Sequence, residues 1–221
     1  MKTKVKTMNK EKQIDDGRKE LRVITIPVAL EKRDDGQESR KISGYAAVFE
    51  QKTKIGNWYE EQIARGAFDD CEFKRCVLNF NHNDSNLLAR VSSGTLKLEV
   101  DEKGLKFEAE LPNTTLGNDI LELIRRGDIV GCSFAFVVRK SSWTWLSDED
   151  PAQLDQREIL EISEVCYVSV VTHPAYEQTS VSARSAEEDR DAHREAKNAA
   201  LAESQRRERE FQLLTIHNCH A

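Results

Sequence analysis

Leu96-Lys97-Leu98-Glu99-Val100-Asp101-Glu102-Lys103-Gly104-Leu105-Lys106-Phe107-Glu108-Ala109-Glu110-Leu111 divides into two alternating halves around a short, Gly-containing loop. Leu96, Leu98 and Val100 alternate with Lys97 and Glu99. Beyond the loop, Leu105, Phe107, Ala109 and Leu111 alternate with Lys106, Glu108 and Glu110. Successive side chains of a strand point to opposite faces, so this patterning predicts an antiparallel hairpin with one buried face.

On the C-terminal side, Leu116, Ile120, Leu123 and Ile124 recur at helical spacing, which predicts a helix of about ten residues. Arg125 and Arg126 suit its last turn and Gly127 its C′ position. Ile129 to Val138 is a continuous, largely apolar run, as expected of a strand buried on both faces. Ser141 to Gln156 is polar and acidic apart from Trp143 and Trp145 and reads as a long loop. A last strand region runs from about Glu158 to Thr172 and ends at His173-Pro174-Ala175-Tyr176.

On the N-terminal side, Lys41 to Phe49 has strand character, with Gly44 and two alanines where another backbone can approach. Val23, Ile24 and Ile26 suggest an earlier strand, and Pro27 an edge or bend. Three regions result: a disordered basic arm over 1–20, a folded domain over 21–184, and a charged helical or disordered tail over 185–221. From Ser185 to Glu210, 14 of 26 residues are charged, which leaves too little apolar surface for a core. Strands dominate, so the fold class is α+β, mainly β.

The whole chain has 221 residues, of which 33% are charged against a norm of about 25%, so a core is present but diluted by solvated segments. The longest uncharged run, Val165 to Tyr176, is far shorter than the ~20 apolar residues that span a bilayer. The basic Met1-Lys2-Thr3-Lys4-Val5-Lys6 is followed by no apolar stretch, so a secretory signal peptide is not expected. A net charge of −6 gives no overall attraction to nucleic acid. Cys71, Cys76, Cys132, Cys166 and Cys219 are odd in number and lack metal-site spacing, so they read as free thiols of a reducing compartment. No metal or other cofactor is expected.

Two residues stand out as candidates for chemistry. His82 lies in Asn79-Phe80-Asn81-His82-Asn83-Asp84, where a short apolar strand gives way to polar residues. Strand ends are where scaffolds present functional side chains, although such a His is more often simply solvated. Ser133 lies in Gly131-Cys132-Ser133-Phe134-Ala135-Phe136, with Gly131 and Ala135 as its neighbours on one face. Small residues there leave room for a substrate backbone, although a lone buried Ser more often bonds to an adjacent strand.

These motifs occur in a particular order: the His82 segment, the hairpin turning at Lys103-Gly104-Leu105, the Leu111-Pro112-Asn113-Thr114-Thr115 step, Arg126-Gly127-Asp128, and the Ser133 segment. In that order they resemble the prohead maturation proteases of tailed bacteriophages. Ile42-Ser43-Gly44-Tyr45-Ala46-Ala47-Val48-Phe49, Arg65-Gly66-Ala67-Phe68 and Val168-Ser169-Val170-Val171-Thr172-His173-Pro174-Ala175-Tyr176 look like the same family's opening and closing segments. The resemblance covers roughly residues 22 to 184. It implies a serine endopeptidase built on a β-barrel with flanking helices, similar to the herpesvirus assembly protease. His82 then matches the general base and Ser133 the nucleophile. Cys132, the neighbour of Ser133, faces the other way, so only one of the two can reach His82.

Such proteases commonly carry an acid directly before the Val-Ser of the closing motif, where this chain has Tyr167. The nearby acids are Glu161, in Arg157-Glu158-Ile159-Leu160-Glu161, and Glu164, which interrupts the more apolar face of the strand. Glu161 is the expected third member, with Glu164 and Tyr167 as alternatives. The resemblance further implies action in the host cytoplasm, inside the assembling procapsid, on the scaffold protein, the major capsid protein precursor and the chain itself, with self-association as a further expectation. The rival from another class is a catalytically inactive, protease-like assembly or scaffolding factor, with Tyr167 as the mark of a lost triad.

Overall fold

The computed structural model describes residues 11–14, 19–24, 28–30, 39–56, 59–148, 150, 152–172 and 182–218. The elements run β1 (Glu11–Ile14), β2 (Lys19–Ile24), β3 (Ala29–Leu30), β4 (Lys41–Val48), β5 (Thr53–Ile55), β6 (Tyr59–Ile63), β7 (Val77–Phe80), β8 (Asn83–Arg90), β9 (Leu96–Val100), β10 (Gly104–Glu110), α1 (Thr115–Arg126), β11 (Gly131–Thr144), β12 (Asp155–Val171) and α2 (Ser182–Asn218). The chain divides into two units, Met1–Thr179 and Ser180–Ala221.

β9 and β10 form the expected hairpin, with Leu98 opposite Phe107 and Leu96 opposite Ala109. β4 pairs with β10 on its other edge, and β3 completes a four-stranded sheet. Gly104 is required by close approach, because a Cβ there would stand 2.1 Å from the Ala47 carbonyl oxygen. Next, Thr114 caps α1 by accepting the Gly117 N–H (3.2 Å), and Gly127 closes it at φ 81°. Ile120, Leu121 and Ile124 bury the inner face of the helix.

β11 and β12 are longer than the hydropathy suggests. The stretch expected to be a loop over Ser141–Gln156 carries the end of β11 and the start of β12. Trp143 is fully buried there, 5.1 Å from the ring of Tyr59 and stacked on Trp145 at 4.8 Å. Polar composition misled because Ser141 and Ser142 are buried beside it. Each long strand serves two partners on its outer edge. β11 pairs with β2 through Cys132–Val137 and with β1 through Lys140–Trp143. β12 pairs with β6 through Asp155–Ile159 and with β7 through Tyr167–Val170, both parallel.

The result is an eight-stranded sheet beside the four-stranded one. The described strands form no closed barrel, which corrects that part of the expected fold. Among the described strands the sheet branches at β11 and β12, and its main order ends at β1 and β5. Register shifts along β11, from Ala135/Phe136 to Lys140/Ser141, bend the hairpin. That bend carries Glu20 of β2 to Arg157, near the opposite end of β12. One hydrophobic cluster joins both sheets and α1, with Ile42, Leu105, Phe107, Leu78, Phe134, Phe136, Val168 and Ile120 in it.

β1 and the first residues of β2 fall within the stretch expected to be a disordered arm. In the second unit, α2 carries Arg207–Glu203 and Arg194–Asp191 ion pairs and leaves Leu201 exposed. The motif His173-Pro174-Ala175-Tyr176 lies outside the described residues, as does Cys219.

Candidate active site

Ser133 lies on β11 opposite Ser169 of β12, and Ser169 lies opposite Asn79 of β7. Directly paired residues of adjacent strands project to one face, so the three side chains form a row across three strands. Cys132 projects the other way, where its Sγ donates to the Tyr45 carbonyl oxygen (2.8 Å). Burial pushes the Cys132 thiol up to about 12, so it holds almost no thiolate near neutral pH.

His82 sits in the two-residue turn that joins β7 to β8, with Phe80 opposite Asn83. Asn81 (φ 50°) and His82 (φ 59°) both take positive φ, as the mirror-image two-residue hairpin turn demands. Asn tolerates that region well; His does so less readily, and such strain persists where the surroundings enforce it. Three bonds do the enforcing. The His82 N–H donates to Ser169 Oγ (3.0 Å), the Asn81 N–H donates to the Val170 carbonyl (3.0 Å), and Asn81 Oδ1 accepts the Thr172 N–H (3.1 Å).

The imidazole lies 5.8 Å from the ring of Tyr167, which pairs with Ala135 two positions from Ser133. His82 and Ser133 are therefore on one face of the sheet, with their strands two spacings, about 10 Å, apart. Partial burial lowers the His82 pKa from its ordinary 6.5, and the Lys19 ammonium lowers it further. His82 Nδ1 is enclosed without a hydrogen-bond partner among the described residues. Ser133 is fully buried, and its hydroxyl donates to the Arg22 carbonyl oxygen at 2.7 Å. A hydroxyl has one proton, so in this arrangement Ser133 does not donate to His82.

The three candidates for the third position are placed differently. Glu161 accepts from Lys140 Nζ (2.8 Å), its register partner on β11. It stands eight residues before Ser169 on β12. Glu164 accepts from Arg75 (2.9 Å). Only Tyr167 of the three makes a ring contact with His82, and burial raises its phenol pKa, as does the Asp84 carboxylate. Asp84, which the motif comparison passed over, follows His82 by two residues and accepts from Asn79 Nδ2 (3.3 Å). Its only sequence signal is its place just beyond the turn.

Ser169, whose hydroxyl accepts the His82 N–H, is a contact that pattern reading missed. It appears in the sequence as one more small polar residue of a strand, and its place between Ser133 and Asn79 follows from register. Among the described residues, no group of three or more His, Cys, Asp and Glu side chains is placed to hold a metal ion, and no helix is long and apolar enough to cross a membrane. The family model described as caudovirus prohead serine protease matches residues 27–193. No curated protein and no solved structure gives a match.

Proposed function

The chain belongs to the caudovirus prohead serine protease family, and from that premise we propose that it is the endopeptidase that cleaves the scaffold protein, the capsid-protein precursor and itself in the procapsid, within the host cytoplasm. Ser133 is the nucleophile and His82 the general base. The observation that carries this reading is their common face, with Ser169 opposite one and bonded to the backbone of the other.

In the proposed reaction the Ser133 hydroxyl first leaves the Arg22 carbonyl. Ser133 Oγ then bonds to the substrate's carbonyl carbon while His82 takes the hydroxyl proton. Enclosure of Nδ1 leaves Nε2 as the nitrogen that exchanges it. As the tetrahedral intermediate collapses, the C–N bond breaks and His82 returns the proton to the leaving amine. Water repeats the sequence on the acyl-enzyme: its proton passes through His82 back to Ser133 Oγ, and the acid product departs. The lowered His82 pKa keeps the base unprotonated at neutral pH. Tyr167 braces the imidazole from the side.

The test is incubation of the full-length protein with scaffold and capsid precursor beside Ser133→Ala and His82→Ala. Discrete fragments from the wild type, and none from either variant, are expected. Intact precursors in all three, with the variants folded, would replace this reading with that of a non-enzymatic assembly factor.

A further inference from the structure

β2 runs antiparallel along the outer edge of β11, with Val23 opposite Ser133. Two of its atoms reach the candidate site. The Arg22 carbonyl oxygen accepts the Ser133 hydroxyl at 2.7 Å, and Lys19 Nζ stands 4.3 Å from the centre of the Tyr167 ring. A carbonyl at hydrogen-bond distance from a nucleophilic hydroxyl is where a scissile carbonyl would be presented. Here the contact is made to oxygen, with the hydroxyl proton in it, so β2 is held rather than attacked.

The other side of β2 is held by charge. Glu20 and Arg22 are two residues apart and both are buried. Arg22 Nη2 donates to Glu61 Oε2 (2.6 Å), and its Nε donates to the other oxygen of Glu61. Arg157 donates to both oxygens of Glu20, at 2.8 and 2.9 Å. Glu61 and Arg157 face each other in the parallel register of β6 and β12 and are themselves 3.2 Å apart. Burying four charges costs several kcal/mol per ion, so such a quartet is a poor device for stability alone. What it supplies is choice of partner and register. Remove β2, and one carboxylate and one guanidinium remain beside an open strand edge.

We propose that β2 fills the strand position a substrate uses, and that Arg157 and Glu61 select peptide segments with an acidic and a basic residue two positions apart, cut after the basic one. The backbone ladder along β11 supplies affinity and the alternate side chains supply selection, as in other strand-addition complexes. Glu20-Leu21-Arg22 is the resident copy of that pattern. This inference rests on Ser133 being the nucleophile. A tethered strand acts at an effective concentration in the millimolar range, so free peptides are cut slowly and densely packed precursors compete best.

The test uses the full-length protein and fluorogenic peptides carrying Lys-Glu-Leu-Arg-Val-Ile, with Gln replacing the Glu or the Arg. The expected result is cleavage after Arg, at least tenfold more efficient (kcat/KM) for the parent than for either Gln peptide. In Glu61→Gln the preference for Arg over Gln should fall within twofold while the preference for Glu over Gln persists, a shift that a purely structural role would not produce. Equal cleavage of all three peptides, or cleavage elsewhere, overturns the inference and leaves the enzyme reading intact. If no peptide is cut, fluorophosphonate labelling of folded Arg22→Gln separates the two failures. Modification of Ser133 overturns only the inference, and no modification overturns the serine-enzyme reading as well. Should Glu61→Gln fail to fold, the three peptides on the wild type decide.

Discussion

Ser169 holds the backbone of His82: its hydroxyl accepts the His82 N–H at 3.0 Å from the position directly opposite Ser133. The bond fixes a histidine in a positive-φ conformation that it would not choose alone. Ser169→Ala leaves that N–H unsatisfied, at a cost of about 1–3 kcal/mol where it is buried. The expected outcome is a folded protein with turnover reduced about tenfold or more, checked by precursor cleavage and circular dichroism.

The third position separates by kinetics. Glu161 is engaged by Lys140 and Glu164 by Arg75, so Glu161→Gln and Glu164→Gln should each keep turnover within about threefold. Tyr167→Ala removes the ring beside His82 and should reduce turnover by an order of magnitude or more. Steady-state rates on one peptide compare all three. A sharp loss in Glu161→Gln alone would assign the third position to Glu161, as the family resemblance implies.

The pH profile follows from His82. Burial and the Lys19 cation lower its pKa, so the neutral base persists below the ordinary 6.5. The kcat/KM should rise with pH through a midpoint below 6.5 and be level at neutrality. The same shift affects stability. A histidine with a lowered folded pKa favours the neutral fold, so its contribution is complete above pH 6.5 and declines below it. A rate profile with its midpoint above 7 would assign the titration to another group.

Acid should loosen β2. Burial alone would raise the Glu20 carboxyl, but the Arg22 and Arg157 guanidiniums outweigh it and hold the pKa at about 2, against an ordinary 4.5. A carboxylate with a depressed folded pKa stabilises above its unfolded value and loses that contribution as pH falls towards the folded one. Unfolding free energy should drop by about 3 kcal/mol between pH 4.5 and 2 from this group. Denaturant titrations across that range should show a flatter dependence in Glu20→Gln.

Much of the fold could be read from side-chain period. The β9–β10 hairpin and α1 with its Gly127 cap announce themselves, because each buries one apolar face with local spacing. The candidate pair His82 and Ser133 was visible through motif order. What stayed hidden was burial achieved by polar means. Glu20, Arg22, Glu61 and Arg157 look like solvent-facing charges one at a time, and become interior only as a quartet drawn from β2, β6 and β12. Trp143 was concealed the same way, by the serines beside it. Glu161 is marked in the sequence by its motif, whereas its place opposite Lys140 follows only from register.

The pairing of β2 with β11 also orders events in time. Arg22 and the Ser133 hydroxyl that it engages are 111 residues apart, so the chain emerging from the ribosome makes β2 long before it makes β11. Contacts of such long separation form slowly, whereas β11 and β12 are neighbours in sequence and can close as a hairpin first. The segment synthesised first would thus be among the last to dock, and each newborn molecule would pass through an interval in which the Ser133 strand stands uncovered.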